Sequence, residues 1–303
     1  MLASLCYKAL QLSGVTALAR RFSSGGVVLC YHNVVADAAA GPPDNLGLHI
    51  PLPRFERQMR WLANNYEVVS LTDLVVRVSQ GRSLRGVAAV TFDDGYGGVF
   101  DHAWPLLQEL NIPATVFVVA EAPGRDERFW WDDPEVLRTY SPARREHWLT
   151  ALRGDSATIV ASLTRARRPS PGKAPSARMP APWETIAAAA ASGLALGVHS
   201  ATHRSLPALD ERDLHREVVE SRDVIRRHTG VMAEFFAYPY GLWNDGVRQA
   251  VRSAGYRAAF TLEGGDSMAD TWALPRMNVP AGIDEAAFEA WMAGLNLRRR
   301  LAS

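Results

Sequence analysis

Two adjacent carboxylates, Asp93 and Asp94, and two imidazoles four residues apart, His199 and His203, are the side chains of this 303-residue sequence best suited to chemistry. Two histidines and one carboxylate make a three-ligand set for a divalent cation and leave positions open for water and substrate. Such an ion brings the pKa of bound water toward about 7. The other carboxylate is then free to take a proton from that water, which makes the site hydrolytic. Adjacent carboxylates also resist joint ionisation unless a cation is close. Taken singly, Asp-Asp-Gly reads as a turn and His-x-x-x-His as a solvated helix face. Their joint occurrence, each at the end of an apolar run, favours the metal site.

The elements that must position these residues are short strands. Gly86 to Phe92 is small, β-branched or apolar at every position, the pattern of a strand buried on both faces in a parallel sheet. Charge begins abruptly at Asp93, and Gly95 permits a sharp exit. Leu194 to Val198 is a second such run and ends at His199. The i, i+4 spacing puts both imidazoles on one face if the segment makes a helical turn. In α/β barrels catalytic groups sit at the C-terminal ends of strands.

Thr91-Phe92-Asp93-Asp94-Gly95 and His199-Ser200-Ala201-Thr202-His203 resemble the first two motifs, T-F-D-D-G and H-S/T-x-x-H, of the polysaccharide deacetylase (NodB-homology) family. The similarity spans roughly residues 25 to 280. It implies an α/β fold, a distorted (β/α) barrel of the NodB-homology type. It also implies metal-dependent hydrolysis, with Asp93 as general base and Asp94, His199 and His203 holding one divalent ion, Zn²⁺ being the first expectation. Two departures stand out. The third motif, R-x-P-Y, reads Ala237-Tyr238-Pro239-Tyr240, so the arginine that orients the base is missing there. Arg276, at the end of a short apolar stretch, is the best substitute, with a surface arginine as the competing reading. No L-x-H occurs near the C-terminus, but Leu29-Cys30-Tyr31-His32 stands near the N-terminus. A closed barrel makes its last strand neighbour its first, so a permuted order puts His32 where the missing histidine would be. That arrangement resembles the exopolysaccharide branch of the family. His49, His102, His147, His215 and His228 lack a strand-end context and receive no role.

The implied reaction is removal of an N-acetyl group from an amino sugar, giving acetate and a free amine. Asp93 takes the water proton, a backbone N–H near Tyr240 helps hold the oxyanion, and His32 protonates the leaving nitrogen. Tyr238, Tyr240 and Trp131 are the expected substrate-binding residues, with Trp130 and Trp243 as further faces for sugar rings. Core packing is the alternative for each tryptophan. Two other functions stay open: hydrolysis of another C–N or O-acetyl ester bond on the same site, and a glycan-binding pseudoenzyme, which the lost motif arginine favours.

Periodicity predicts strands at 26–33, 67–70, 86–92, 114–120, 194–198, 234–237, 256–260 and near 272–276. Helices are predicted around 55–62 and over 71–80, 99–110, 134–152, 183–192, 210–228, 244–253 and 284–294. Asp37 to Pro53 reads as a loop. We divide the chain into an N-terminal amphipathic helix (1–24), a catalytic domain (25–296) with an insertion (121–182), and a basic tail (297–303).

The length suits one large α/β domain. A net charge of +1 excludes nucleic-acid binding by bulk electrostatics. Cys6 and Cys30 are the only cysteines, so no disulfide framework or cysteine metal site is implied. Residues 1–22 show neither a signal-peptide pattern nor a run of about 20 apolar residues, so a cytoplasmic enzyme is expected. Leu2, Leu5, Ala9, Leu12, Leu18 and Phe22 recur at near-helical spacing among Lys8, Arg20 and Arg21. Two readings stand: a helix packed on the barrel, or one lying on the inner membrane face. The second suits a glycan or lipid-linked oligosaccharide substrate, and the basic 165–178 loop and Arg298-Arg299-Arg300 would add to it.

Overall fold

The computed structural model describes residues 2–23, 25–36, 44, 46–163, 175–262, 268 and 270–296. The expected basic tail, and the basic loop as far as residue 174, lie outside the described residues. The chain opens with α1 (Leu2–Leu12) and α2 (Val15–Phe22), followed by β1 (Val27–Tyr31), β2 (Asn33–Val35) and β3 (His49–Pro51). Next come α3 (Leu52–Asn65), β4 (Glu67–Val68), α4 (Leu71–Ser79), β5 (Val87–Phe92), α5 (Trp104–Glu109) and β6 (Ala114–Val118). Between β6 and the next barrel strand lie α6 (Pro134–Thr139), α7 (Pro142–Thr150), α8 (Ser156–Leu163) and α9 (Trp183–Ala191). Then follow β7 (Ala195–Val198), α10 (Glu211–His215), α11 (Ser221–Thr229), β8 (Phe235–Ala237), α12 (Asp245–Ser253) and β9 (Ala258–Thr261). The described chain closes with β10 (Leu274–Pro275), β11 (Met277–Asn278) and α13 (Glu285–Met292).

The strands form one parallel sheet in the order β10-β9-β8-β7-β6-β5-β1-β11, with β4 also on β5. Leu274 and Pro275 pair with β9, while Met277 and Asn278, one residue further on, pair with β1. A single short segment therefore bridges the last and first strands, nearly closing the barrel, and Arg276 is the residue at the seam. The expected neighbour relation between the last strand and the first holds. Because side chains alternate along a strand, Ala89, Thr91 and Asp93 share one face of the β5 line. Ala89 belongs to a core cluster with Val28, Phe117, Ala237, Phe260 and Leu274, against which α4 lays Leu71, Leu74 and Val75. This cluster fills the barrel beneath the site. A larger apolar cluster lies between sheet and helices. Gly197 on β7 is required by the packing, since a Cβ there would stand 2.4 Å from the Phe117 ring.

Several boundaries differ from the sequence expectation for local reasons. The strand expected over 26–33 is interrupted at His32. The loop expected at 37–53 contains β3, which pairs in parallel with β2. The expected 134–152 helix is two, because extended Ser141 caps α7 and Pro142 begins it. The N-terminal helix is also two, broken at Gly14 with φ 77°. α1 is tied to α13 by hydrogen bonds from Ser4 Oγ to Asp284, Gln11 Nε2 to Glu289 and Trp291 Nε1 to Tyr7. No described helix is long and apolar enough to cross a membrane.

Candidate active site

Asp94, His199 and His203 converge at the C-terminal ends of β5 and β7. Their facing atoms are close: His199 Nε2 to His203 Nε2 3.2 Å, His203 Nε2 to Asp94 Oδ1 3.5 Å, and His199 Nε2 to Asp94 Oδ1 3.7 Å. The convergence does not come from the helical turn that the i, i+4 spacing suggested. Ser200 and His203 have φ of 64° and 62°, so the segment is an irregular turn with two left-handed residues. Asp94 and Tyr240 are also at positive φ, and these four are among only six such non-glycine residues in the described chain. Backbone strain is thus concentrated at the site, and the surroundings must hold it there. For the 200–203 turn the holder is Glu217, a buried carboxylate. It accepts from Ala201 N (2.9 Å), Thr202 N (2.8 Å) and Thr202 Oγ1 (2.5 Å). His203 N in turn donates to Ser200 Oγ.

This donor set fits a divalent ion. Metal–ligand bonds of about 2.0–2.2 Å at near-tetrahedral angles need donor atoms separated by about the three distances observed. His199 donates its Nδ1–H to Ala237 O at 2.8 Å, which leaves its Nε2 lone pair aimed into the triad. Asp94 Oδ1 is buried with no hydrogen-bond partner. Burial, then Asp93 and Asp132, push the Asp94 carboxyl well above the ordinary range. An uncompensated carboxylate in that place calls for a cation. Burial lowers both imidazoles, with Asp93 working against it, so both rings are available as neutral ligands.

Asp93 is paired differently. Arg276 Nη1 and Nη2 donate to its two oxygens, Nη1 donates also to Thr91 Oγ1, and Cys30 Sγ lies 3.3 Å from Oδ2. Arg276 is 3% exposed, which rules out the surface reading. Its guanidinium lies 5.2 Å above the Phe117 ring. Burial alone would raise the Asp93 carboxyl, but the Arg276 charge and hydrogen bonds, with His199 and His32, hold it well below the usual range. His32, in the break between β1 and β2, is half-buried. Ligand atoms of Cys30, His32 and Asp93 all lie within 4.8 Å of one another. Burial, His199, Arg276 and His49 outweigh the pull of Asp93 and lower the His32 ring to about 4.

The three expected substrate contacts separate. Tyr240 is partly buried, with its ring edge on His203 and its hydroxyl donating to His203 O at 3.0 Å. Trp131 is 5% exposed and lies between Phe129 and His203, which makes it a wall of the triad before it is a sugar platform. Tyr238 is fully buried, packs on Phe236 and Trp243, and donates to Trp272 O. It offers no face to a substrate, and that expectation is corrected. Trp130 is likewise buried, and Trp243 partly so. A cavity beside the triad is lined in part by Trp130, Trp131 and Thr202. Glu217 went unread in the sequence because it lies in mid-helix, where a carboxylate ordinarily faces solvent.

Known proteins match this chain along most of its length. The polysaccharide deacetylase family model matches residues 80–259. YxkH of Bacillus subtilis (strain 168) is 21% identical over 272 residues, covering 88% of this chain and 76% of that protein. The poly-beta-1,6-N-acetyl-D-glucosamine N-deacetylase of Escherichia coli (strain K12) is 26% identical over 252 residues. This match takes in 80% of this chain but 34% of that enzyme, so the chain spans about a third of it. The structure of IcaB from Ammonifex degensii superposes with a TM-score of 0.62 at 22% identity, covering 89% of this chain and 98% of that one. At these identities the superposition shows a shared fold.

Proposed function

Because this chain belongs to the polysaccharide deacetylase family, we propose that it is a zinc-dependent enzyme that hydrolyses N-acetyl groups of an amino-sugar glycan or glycolipid. One observation carries the reading: a carboxylate held ionised by Arg276 stands beside a separate, uncompensated Asp-His-His triad. A base held ionised by an arginine, beside a second carboxylate left for an ion to compensate, is what metal-assisted hydrolysis requires. The printed substrate of the E. coli relative, a β-1,6-linked N-acetylglucosamine polymer, is the first substrate class to try.

A divalent ion bound at the triad supplies Lewis acidity toward the acetyl carbonyl and the attacking water. Asp93 receives the proton of that water, with Arg276 fixing the plane of its carboxylate. His32 is uncharged in the resting site at neutral pH. It must therefore collect the proton that it passes to the leaving nitrogen, and Asp93 is the donor within reach. The backbone N–H in the Pro239–Gly241 turn near Tyr240 is the oxyanion donor. The test is acetate release from β-1,6-linked N-acetylglucosamine oligomers, and from O-acetylated glycans in parallel, before and after chelation. Release from the N-acetyl substrates, lost on chelation and restored by Zn²⁺, supports the proposal. Release from O-acetyl esters alone moves the enzyme to ester hydrolysis. No release with the ion restored would overturn the proposal, and binding of the same glycans without turnover would then identify a glycan-binding protein.

The reading extends to a membrane surface that presents a lipid-linked glycan. Although α1 is fixed to α13, Leu5 and Leu12 on its other face are exposed, as are Val15, Leu18 and Phe22 of α2, while Thr16 is buried. Leu12 is 87% and Phe22 72% exposed. Lys8 and Arg21 are exposed beside them, and no acidic residue precedes Asp37. An outward apolar face with only positive charge suits an anionic bilayer. Flotation with anionic vesicles at low salt tests this. Binding that Leu12→Asp and Phe22→Asp abolish supports it, and no binding removes the lipid-linked argument.

A further inference from the structure

His203 differs from its partner ligand in one respect. Ligating histidines ordinarily donate their second ring N–H to a fixed acceptor, as His199 does to Ala237 O. Nδ1 of His203 is buried and finds no hydrogen-bond partner outside its own residue. Away from the triad atoms that face its Nε2, the ring is held by aromatic contact with Trp131 at 4.4 Å between centroids and Tyr240 at 4.5 Å. The orientation of the ligand therefore depends on what orients Trp131.

A continuous buried hydrogen-bond chain fixes that indole. Trp131 Nε1 donates to Tyr96 Oη at 2.8 Å, and Tyr96 Oη donates to Asp132 Oδ2 at 2.7 Å. His49 Nε2 lies 3.1 Å from Asp132 Oδ1. Asn33 settles the tautomer: its Nδ2 is 2.8 Å from Ala177 O and 2.9 Å from His49 Nδ1, so it donates to both. Nδ1 of His49 then accepts, the proton is on Nε2, and Nε2 donates to Asp132. The Trp130–Asp132 turn is pinned twice, by the indole and by the next residue's carboxylate. Gly98 lets the loop carrying Tyr96 close on β2, since a Cβ there would stand 2.1 Å from Val34 O.

We propose that Tyr96, Asp132 and His49 are positioning residues for the metal ligand His203, acting through the tethered indole of Trp131. The chain replaces the hydrogen bond that Nδ1 of His203 lacks. It joins the small β2–β3 sheet and the insertion to the triad, so the insertion completes the site. The inference rests on the metal-binding reading above.

The experiment is Zn²⁺ competition against a chromophoric chelator, using the full chain and Tyr96→Phe, Trp131→Phe and the double variant, with metal-free melting temperatures beside it. Wild type is expected to bind one ion. Tyr96→Phe and Trp131→Phe each keep a ring in place but cut the tether, and each should weaken Zn²⁺ binding about 10-fold or more. The double variant should be no weaker than the weaker single, since both cut one chain. His49→Gln, which retains a donor toward Asp132, should bind more tightly than His49→Ala. Zn²⁺ affinities within about twofold of wild type, with only the melting temperature lowered, would overturn the proposal and leave a purely structural network. Effects that add in the double variant would overturn it too. A wild-type chain that binds no ion would instead sink the metal reading and this inference with it.

Discussion

Arg276 meets Asp93 through two parallel hydrogen bonds, Nη1 to Oδ1 at 2.6 Å and Nη2 to Oδ2 at 2.7 Å, from a position 183 residues later in the chain. The forked geometry is specific to arginine and matches a carboxylate plane. The family motif would put this arginine at residue 237, on β8. Here Ala237 is fully buried and the cation comes from the seam between β10 and β11, two strands further round. The pairing survives because a closing barrel brings several strand ends to one centre.

Removing the cation should move the base. In Arg276→Gln, burial, which raises the Asp93 carboxyl, is no longer outweighed by a neighbouring guanidinium. Its pKa rises, and the fraction ionised at mildly acid pH falls. The acid limb of the kcat/KM profile should shift to higher pH, with turnover at neutral pH reduced about 10²-fold. Arg276→Lys should recover only part of this, because one ammonium cannot make both bonds. An unchanged acid limb in Arg276→Gln would show that another group carries the titration.

Metal retention and proton transfer should separate by residue. Asp93→Asn is isosteric, stands outside the triad, and should keep one Zn²⁺ per chain while losing at least about 10²-fold in kcat. His203→Ala removes a ligand and should lose ion and activity together. Metal analysis and acetate release on the same preparations check both, and metal-free His203→Ala with full activity contradicts the assignment.

Much of the architecture was legible from short apolar runs ending in charge. β5 with Asp93 and Asp94, β7 with His199, and the late stretch carrying Arg276 follow directly from that pattern, because parallel strands buried on both faces leave few other readings. What stayed hidden depends on contacts between distant segments. Tyr238 and Trp131 stand in aromatic stretches near strand ends or turns, but whether a ring faces a cleft or the core is decided by neighbours such as Phe236, Trp243 and Phe129. His49 was assigned nothing because β3 is three residues long and its partner β2 is no longer. The turn at Ser200–His203 looks helical in spacing, and its two left-handed residues depend on contacts from elsewhere in the chain, Glu217 from a later helical segment foremost.

Glu217 gives a prediction of its own. It accepts two backbone N–H groups and a hydroxyl, all charge-assisted. Glu217→Gln can keep its oxygen on the two N–H groups only by turning its NH2 toward the Thr202 hydroxyl, which must then accept, and all three bonds lose their charge assistance. Hydrogen bonds to a charged group are worth about 1.5–3 kcal/mol each, so unfolding in denaturant should show a loss of that order. Zn²⁺ affinity should fall as well, because the same turn aims His203. A loss of stability with unchanged Zn²⁺ affinity would mean that the turn does not govern the ligand.

The titration of His32 should be visible in stability. Its folded value lies near 4, against 6.5 for a free imidazole. Between these pH values the unfolded chain binds a proton there and the folded one does not, so acidification favours unfolding. For this group stability is therefore fully present above about 6.5, declines as pH falls toward 4, and levels off below. The ceiling is about 3 kcal/mol, reduced because the ring is partly open to water. Asp94 acts in the opposite sense: its raised carboxyl gains a proton in the folded state and supports the fold as pH drops. The total curve therefore mixes signs, and the useful quantity is a difference. Chelated wild type should lose stability relative to chelated His32→Gln as pH is lowered from about 6.5 to 4, measured by denaturant midpoints at each pH. A difference that stays constant across this window would show that the His32 ring titrates as it does in the unfolded chain, and that the site does not hold it uncharged.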